Sequence, residues 1–214
     1  MKNIQLWKIN PKIMIDFLSA GDEVLSKEIN AKTAKTLMDE NAPFNELNDK
    51  EAVYAIKSLL SQLSDPKVKD YIRAFIKDDP VMIAEYVNAG DVKIESALVT
   101  AAAYDCKNIV TAIVNTIKDL NFCQEDGWSP LIAACTYNNE EIVTILLKND
   151  SIDVNAASQY GTTPLMLAAA NGNANLVRIL LDRGADPKVS GVGGYTALKL
   201  AKGIGAKDVI ELLQ

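Results

Sequence analysis

Catalysis in this chain would have to proceed without an imidazole, because none of its 214 residues is histidine. That excludes Ser-His-Asp and Cys-His arrangements, His-based zinc sites and the commonest general base near neutral pH. Carboxylates, lysines and three cysteines remain. Cys106, Cys123 and Cys135 follow one another at intervals of 17 and 12, which match neither a CxxC redox pair nor paired metal-ligand knuckles. They read as small buried hydrophobes in a reducing compartment. Asp119, Glu125 and Asp126 are neighbours in sequence, but on a turn they read as solvated charges; an acid–base pair needs one carboxyl raised in an apolar cleft. Gly191-Val192-Gly193-Gly194 follows no strand and lacks a Lys-Ser/Thr ending, so it reads as a flexible turn rather than a phosphate cradle. No pattern calls for a catalytic residue, a metal or a cofactor. The expectation is a protein that is not an enzyme.

Charge narrows the partners. The chain carries 28 acidic and 22 basic residues, a net charge of −6. Such a surface repels phosphate backbones and anionic lipid, so neither nucleic acid nor a membrane is expected as a partner. Lys199, Lys202 and Lys207, the densest run of lysines, are too sparse to reverse this. Apolar residues make up 49% and charged ones 23%, too apolar for disorder. Lys8 and Pro11 interrupt any signal-peptide core, and no run approaches the roughly 18 to 20 apolar residues of a membrane-spanning helix. The cytoplasm is the expected compartment.

The elements that would position any site are repeated. Gly127, Gly161 and Gly194 recur at intervals of 34 and 33. They open the segments Gly127-Trp128-Ser129-Pro130-Leu131, Gly161-Thr162-Thr163-Pro164-Leu165 and Gly194-Tyr195-Thr196-Ala197-Leu198. Each runs on into a second helical pattern, at Glu141–Leu147, Asn175–Leu181 and Asp208–Leu213. Ser129 and Thr163 are predicted N-caps, and Pro130 and Pro164 occupy the first helical position, where a missing N–H costs nothing. Alanines keep the first helix slim, and the Ile, Val and Leu pairs of the second form an apolar face that one unit cannot bury alone. Gly184 can end a helix with positive φ. A weaker unit starts at Ser96-Ala97-Leu98, its Ala97 one interval of 33 before Pro130, and another helix pair covers Tyr71–Ile76 and Val81–Gly90. The interval from Met82 to Ile109 is 27 rather than 33, which predicts a truncated turn between these two units.

Over residues 119–214 the spacing, caps, prolines and helix pairs resemble the ankyrin repeat family, whose unit carries a Thr-Pro-Leu-His-x-Ala signature. The signature histidine is Ile132, Met166 and Lys199 here, so its hydrogen bonds must be absent or replaced. The resemblance implies an all-α helix-turn-helix solenoid with short hairpin-like finger turns. It also implies a concave face lined by fingertips and by the ends of the first helices. Carried onto this chain, the fingertip positions are Glu125, Asp126 and Trp128; Gln159, Tyr160 and Thr162; and Val192, Gly193 and Tyr195. The first-helix positions are Tyr104, Thr136, Tyr137, Ala170 and Asn171. Five of the chain's 13 aromatics thus map to one surface: Tyr104, Trp128, Tyr137, Tyr160 and Tyr195. Such residues are favoured at binding hot spots, although packing of the hairpin would equally explain Tyr195 and Trp128. Glu125 and Asp126 would prefer a partner with a basic patch. Asn155 falls where the family's structural asparagine bonds across the turn.

Residues 1–66 show no clear repeat, but their helical signals are good. Pro11–Ala20 and Glu23–Met38 read as helices, and Asn48-Asp49-Lys50-Glu51 is a capping box before Ala52–Leu60. Asp65-Pro66 starts a further helix. The expected organisation is a helical N-terminal capping region over 1–66, of degenerate repeats, with a small independent helical domain as the alternative. An ankyrin repeat domain follows over 67–214, with units near 67–93, 94–120, 121–154, 155–187 and 188–214. The expected function is a scaffold, adaptor or inhibitor that binds another protein and is itself a monomer. The alternative is an enzyme whose active site lies in residues 1–66.

Overall fold

The structure, a computed structural model, describes residues 65–124 and 127–214, and the helices expected before Pro66 lie outside them. Among the described residues there are ten α-helices and no strand. They form five pairs: α1 (Pro66–Ile76) with α2 (Pro80–Asn88), α3 (Ile94–Ala103) with α4 (Lys107–Ile113), α5 (Pro130–Thr136) with α6 (Glu140–Leu146), α7 (Pro164–Ala170) with α8 (Ala174–Asp182), and α9 (Ala197–Ile204) with α10 (Lys207–Leu212).

Local sequence explains where the helices begin. Ser129 Oγ accepts the Ile132 N–H at 3.2 Å and Thr163 Oγ1 accepts that of Met166 at 3.3 Å, each ahead of a proline at the first helical position. Thr196 caps α9 in the same way, and the Asp65 and Asp79 carboxylates cap α1 and α2 ahead of Pro66 and Pro80. Each such cap contributes about 1 kcal/mol. Between the two helices of each pair a residue with positive φ recurs: Asp78, Asp105, Asn138, Gly172 and Gly205. The last four follow at intervals of 33, 34 and 33, so the turn geometry repeats while its residue type changes. Asp and Asn tolerate this region better than other side chains because they bond locally. Asp78 also works at a distance: its carboxylate accepts the N–H groups of Asn108 (2.7 Å) and Ile109 (2.9 Å), capping α4 of the next pair.

Stacking makes the core. First helices pack on first helices, α3 against α5, α5 against α7 and α7 against α9. Second helices form a separate row, with α2 against α4, α4 against α6 and α8 against α10. Buried alanines (Ala101, Ala102, Ala133, Ala134, Ala168, Ala169, Ala197 and Ala201) allow the close approach of the first helices. Ile109, Ile142, Leu146, Leu176 and Leu180 fill the space between the rows, each contributing roughly 1.5–3 kcal/mol by burial. Ile132 and Met166, which stand at the signature-histidine positions, are buried in this core, so apolar packing replaces the hydrogen bonds there. Lys199 is exposed and its Nζ donates to Gly194 O at 2.8 Å, turning back onto its own turn.

Asparagines join neighbouring units. Asn121 donates to Ser151 O (2.7 Å) and accepts from Asp153 N (2.7 Å). Asn155, one unit later, donates to Gly184 O (3.2 Å) and accepts from Asp186 N (2.8 Å). The structural asparagine therefore bonds to the following unit. The connection from α2 to α3 is only residues 89–93, which accounts for the short interval of 27.

Cys106 and Cys135 are buried as expected, and burial pushes both thiols well above their usual range. Cys123 departs from the expectation and is exposed. It follows Phe122, which packs on the core, and alternation along the extended stem turns the next side chain outward.

Candidate interaction face

Three finger turns precede α5, α7 and α9. Each is closed by a backbone bond across the hairpin: Gln124 N to Trp128 O (2.8 Å), Ser158 N to Thr162 O (3.0 Å) and Gly191 N to Tyr195 O (2.9 Å). A second bond tightens each tip, from Gly127 N to Gln124 O, Gly161 N to Ser158 O and Gly194 N to Gly191 O. The Gly191–Gly194 segment expected as a flexible turn is thus a hydrogen-bonded one. The fingers also lie against one another. Val192 N donates to Tyr160 O at 3.0 Å, and a Cβ on Gly161 would stand 3.0 Å from Gly191 Cα.

The aromatic positions fall on two neighbouring rows. Tyr104, Tyr137 and Asn171 are the C-cap residues of α3, α5 and α7, at intervals of 33 and 34. Trp128, Tyr160 and Tyr195 belong to the three fingers. The rows meet where the Trp128 and Tyr137 rings approach to 6.2 Å between centroids, tilted by 38°. Tyr104, Trp128, Tyr137, Tyr160 and Ala170 are half-buried, while Gln159 and Gly193 are exposed. Tyr104 leans on Phe75 of the preceding unit (6.2 Å), and burial raises its phenol pKa. Tyr195 is 50% exposed and Val192 67% exposed, and they stand on the same finger.

Two expected face residues are not on the surface. Thr136 is 5% exposed, and its hydroxyl donates to Ile132 O at 2.9 Å within α5. Thr162 is 4% exposed, held in the stem of its hairpin, where its N–H reaches Ser158 Oγ at 3.3 Å. Asn171 is exposed, but its amide donates to Cys135 O (3.0 Å) and Thr136 O (3.2 Å) at the end of α5. It is therefore an inter-unit tie as well as a surface residue. Asn139, the N-cap of α6, makes the equivalent tie to Ala102 O (2.7 Å) and Ala103 O (3.0 Å) from a different position. Glu125 and Asp126 lie outside the described residues.

Sequence reading missed Ile204. It lies one repeat interval after Asn171, ends α9 and is 56% exposed, so it continues the row of first-helix ends. Its spacing was the available signal.

A family model of ankyrin repeats, in three copies, matches the chain over residues 33–158, 98–191 and 151–214. The chain belongs to the ankyrin repeat family. Ankyrin repeats are generally protein–protein interaction modules, and the proteins built from them are typically not enzymes. The first matched span of this ankyrin repeat protein begins within the segment read as a capping region. No curated protein matches the chain. Among the described residues there is no group of three or more Cys, Asp or Glu side chains able to hold a metal, and no helix is long and apolar enough to cross a membrane.

Proposed function

We propose that this ankyrin repeat protein binds a partner protein through the face made by its fingers and first-helix ends, the concave face of the solenoid. The observation that carries this reading is the joining of the two rows at Trp128 and Tyr137, continued by Tyr160 and by the exposed pair Val192 and Tyr195. Aromatic rings present large area with few rotors, and Tyr and Trp keep a polar handle for the partner's hydrogen bonds. The protein acts in the cytoplasm as a monomeric scaffold, adaptor or inhibitor, and not as an enzyme. Residues 1–66 form a helical cap to the repeat domain of 67–214. Glu125 and Asp126 extend the face at its edge and favour basic groups on the partner's rim.

The test is a pull-down from source-cell lysate with the wild-type chain and with a Trp128→Ala, Tyr160→Ala double variant, both checked for native helical circular dichroism. The variant should lose the principal partner. Equal recovery by the two proteins would remove this face from contention.

A further inference from the structure

Charge is unevenly distributed along the last three repeats. Across residues 127–198, charged side chains occur only in 140–153 and 178–188, which are α6, the second half of α8 and the loops that leave them. The segments 127–139, 154–177 and 189–198 carry none. These uncharged segments hold α5, α7, the start of α9 and the last two fingers, and the fold brings them side by side. Finger meets finger through Val192 N and Tyr160 O at 3.0 Å, and first helix meets first helix from α5 to α9. The charged segments are engaged along the second-helix row. Arg183 pairs with Asp150 at 3.2 Å, and Glu140 accepts the amides of Asn173 (2.6 Å) and Asn175.

We infer that the partner meets this face with an uncharged surface, built from apolar and neutral hydrogen-bonding groups, and that the pairing is not held by ion pairs. The inference rests on the proposed use of this face. Exposed on the face at this end are Val192, Tyr195, Gln159, Asn171 and Ile204, beside two glycines at the tip of the last finger. A charged group pressed onto such a surface loses its water and finds no counter-charge to replace it. Lys199, at the border, is turned back onto Gly194 O. Neutral amides and hydroxyls lose less on leaving water and apolar side chains gain by it, so the face selects for them and against charge of either sign. The uncharged contact is that of the described face, from Trp128 onward; Glu125 and Asp126 lie outside the described residues.

A random-peptide phage library panned on the full chain, with subtraction on a Tyr160→Ala, Tyr195→Ala variant, supplies the probe. The clones that bind the wild type alone should carry Lys, Arg, Asp and Glu below the library frequency. The corresponding peptides should change affinity by less than about twofold between about 50 and about 500 mM NaCl, because no screened charge pair contributes. Placing a charge on exposed Gln159 adds a control that is independent of folding. Gln159→Lys and Gln159→Glu should each weaken these peptides about tenfold, whichever the sign. Face-dependent clones rich in charge, an affinity that collapses with salt, or opposite effects of the two Gln159 variants would overturn the uncharged partner while leaving the face in place. If no clone distinguishes wild type from the tyrosine variant, both the face and the inference fall.

Discussion

Two glycines separate the strain of a turn from the contact between fingers. Gly127 and Gly184 both have positive φ, +82° and +88°, so alanine at either meets the same backbone penalty of about 1–2 kcal/mol. The surroundings differ. A Cβ on Gly184 would have nothing within 4 Å, whereas one on Gly127 would lie 2.5 Å from Gln159 N and 3.2 Å from the Ser158 backbone. Those are main-chain atoms of the next finger and cannot swing aside, so overpacking adds a further cost of about 1–3 kcal/mol. The gain from a stiffer unfolded chain is the same for both substitutions and cancels in the comparison. Gly184→Ala should therefore cost about 1–2 kcal/mol and Gly127→Ala about 2–5 kcal/mol, summing the same two contributions. Urea titration followed by helical circular dichroism reads the difference. The Gly127→Ala transition should also broaden, because a weakened contact between two units lowers the coupling that keeps a solenoid cooperative. If Gly127→Ala were no more destabilising than Gly184→Ala, the fingers would not be stacked as described.

Burial raises the Cys106 and Cys135 thiols while Cys123 is exposed, so a thiol reagent at about pH 8 should titrate one thiol rapidly in the folded chain and three after denaturation. Two or three fast thiols in the folded chain would contradict the packing around α4 and α5. Burial first, then Glu141 and Asp78, raise the Asp105 pKa, against an opposing contribution from Lys107. Because the folded value lies above the ordinary 3.8, the charged form penalises the fold at neutral pH, and the penalty fades as pH falls through the raised value and past 3.8. Asp105→Asn, which places at this positive-φ turn the residue found at Asn138, should stabilise by roughly 0.5 kcal/mol at neutral pH and by nothing below the ordinary carboxyl range; denaturant midpoints against pH check this. Asn171→Ala should cost about 1–2 kcal/mol by removing two hydrogen bonds to the end of α5, a loss that urea titration would register without any partner present.

The helical frame is legible in the sequence because its signals are local. A capping hydroxyl, a proline and an alanine run recur at a fixed interval, and each acts within one turn of helix. The truncated connection before α3 is readable from an interval of 27. Contacts between units are harder to read. Asn139 and Asn171 reach equivalent carbonyl pairs from non-equivalent positions, so no alignment of the repeats reveals their shared task. Position in the repeat puts Thr136 and Thr162 on the face, but a threonine can bond its hydroxyl or its backbone locally and sit under its neighbours. Ile204 is hidden for the opposite reason: its position is that of Asn171 one unit later, but an isoleucine at a helix end carries no binding signal of its own. The recurring turn residues, from Asp105 through Asn138 to Gly172 and Gly205, show the same lesson, since three residue types satisfy one backbone conformation.

A partner held on the fingers and first-helix ends would shield their backbone amides from solvent. Hydrogen–deuterium exchange of the chain, alone and with the partner recovered by pull-down, measures this directly. Added protection is expected in the fingers at 157–163 and 189–196 and around Tyr137, Asn171 and Ile204. Protection confined to the second helices, Glu140–Leu146 and Ala174–Asp182, with the fingers unchanged, would contradict this placement of the partner.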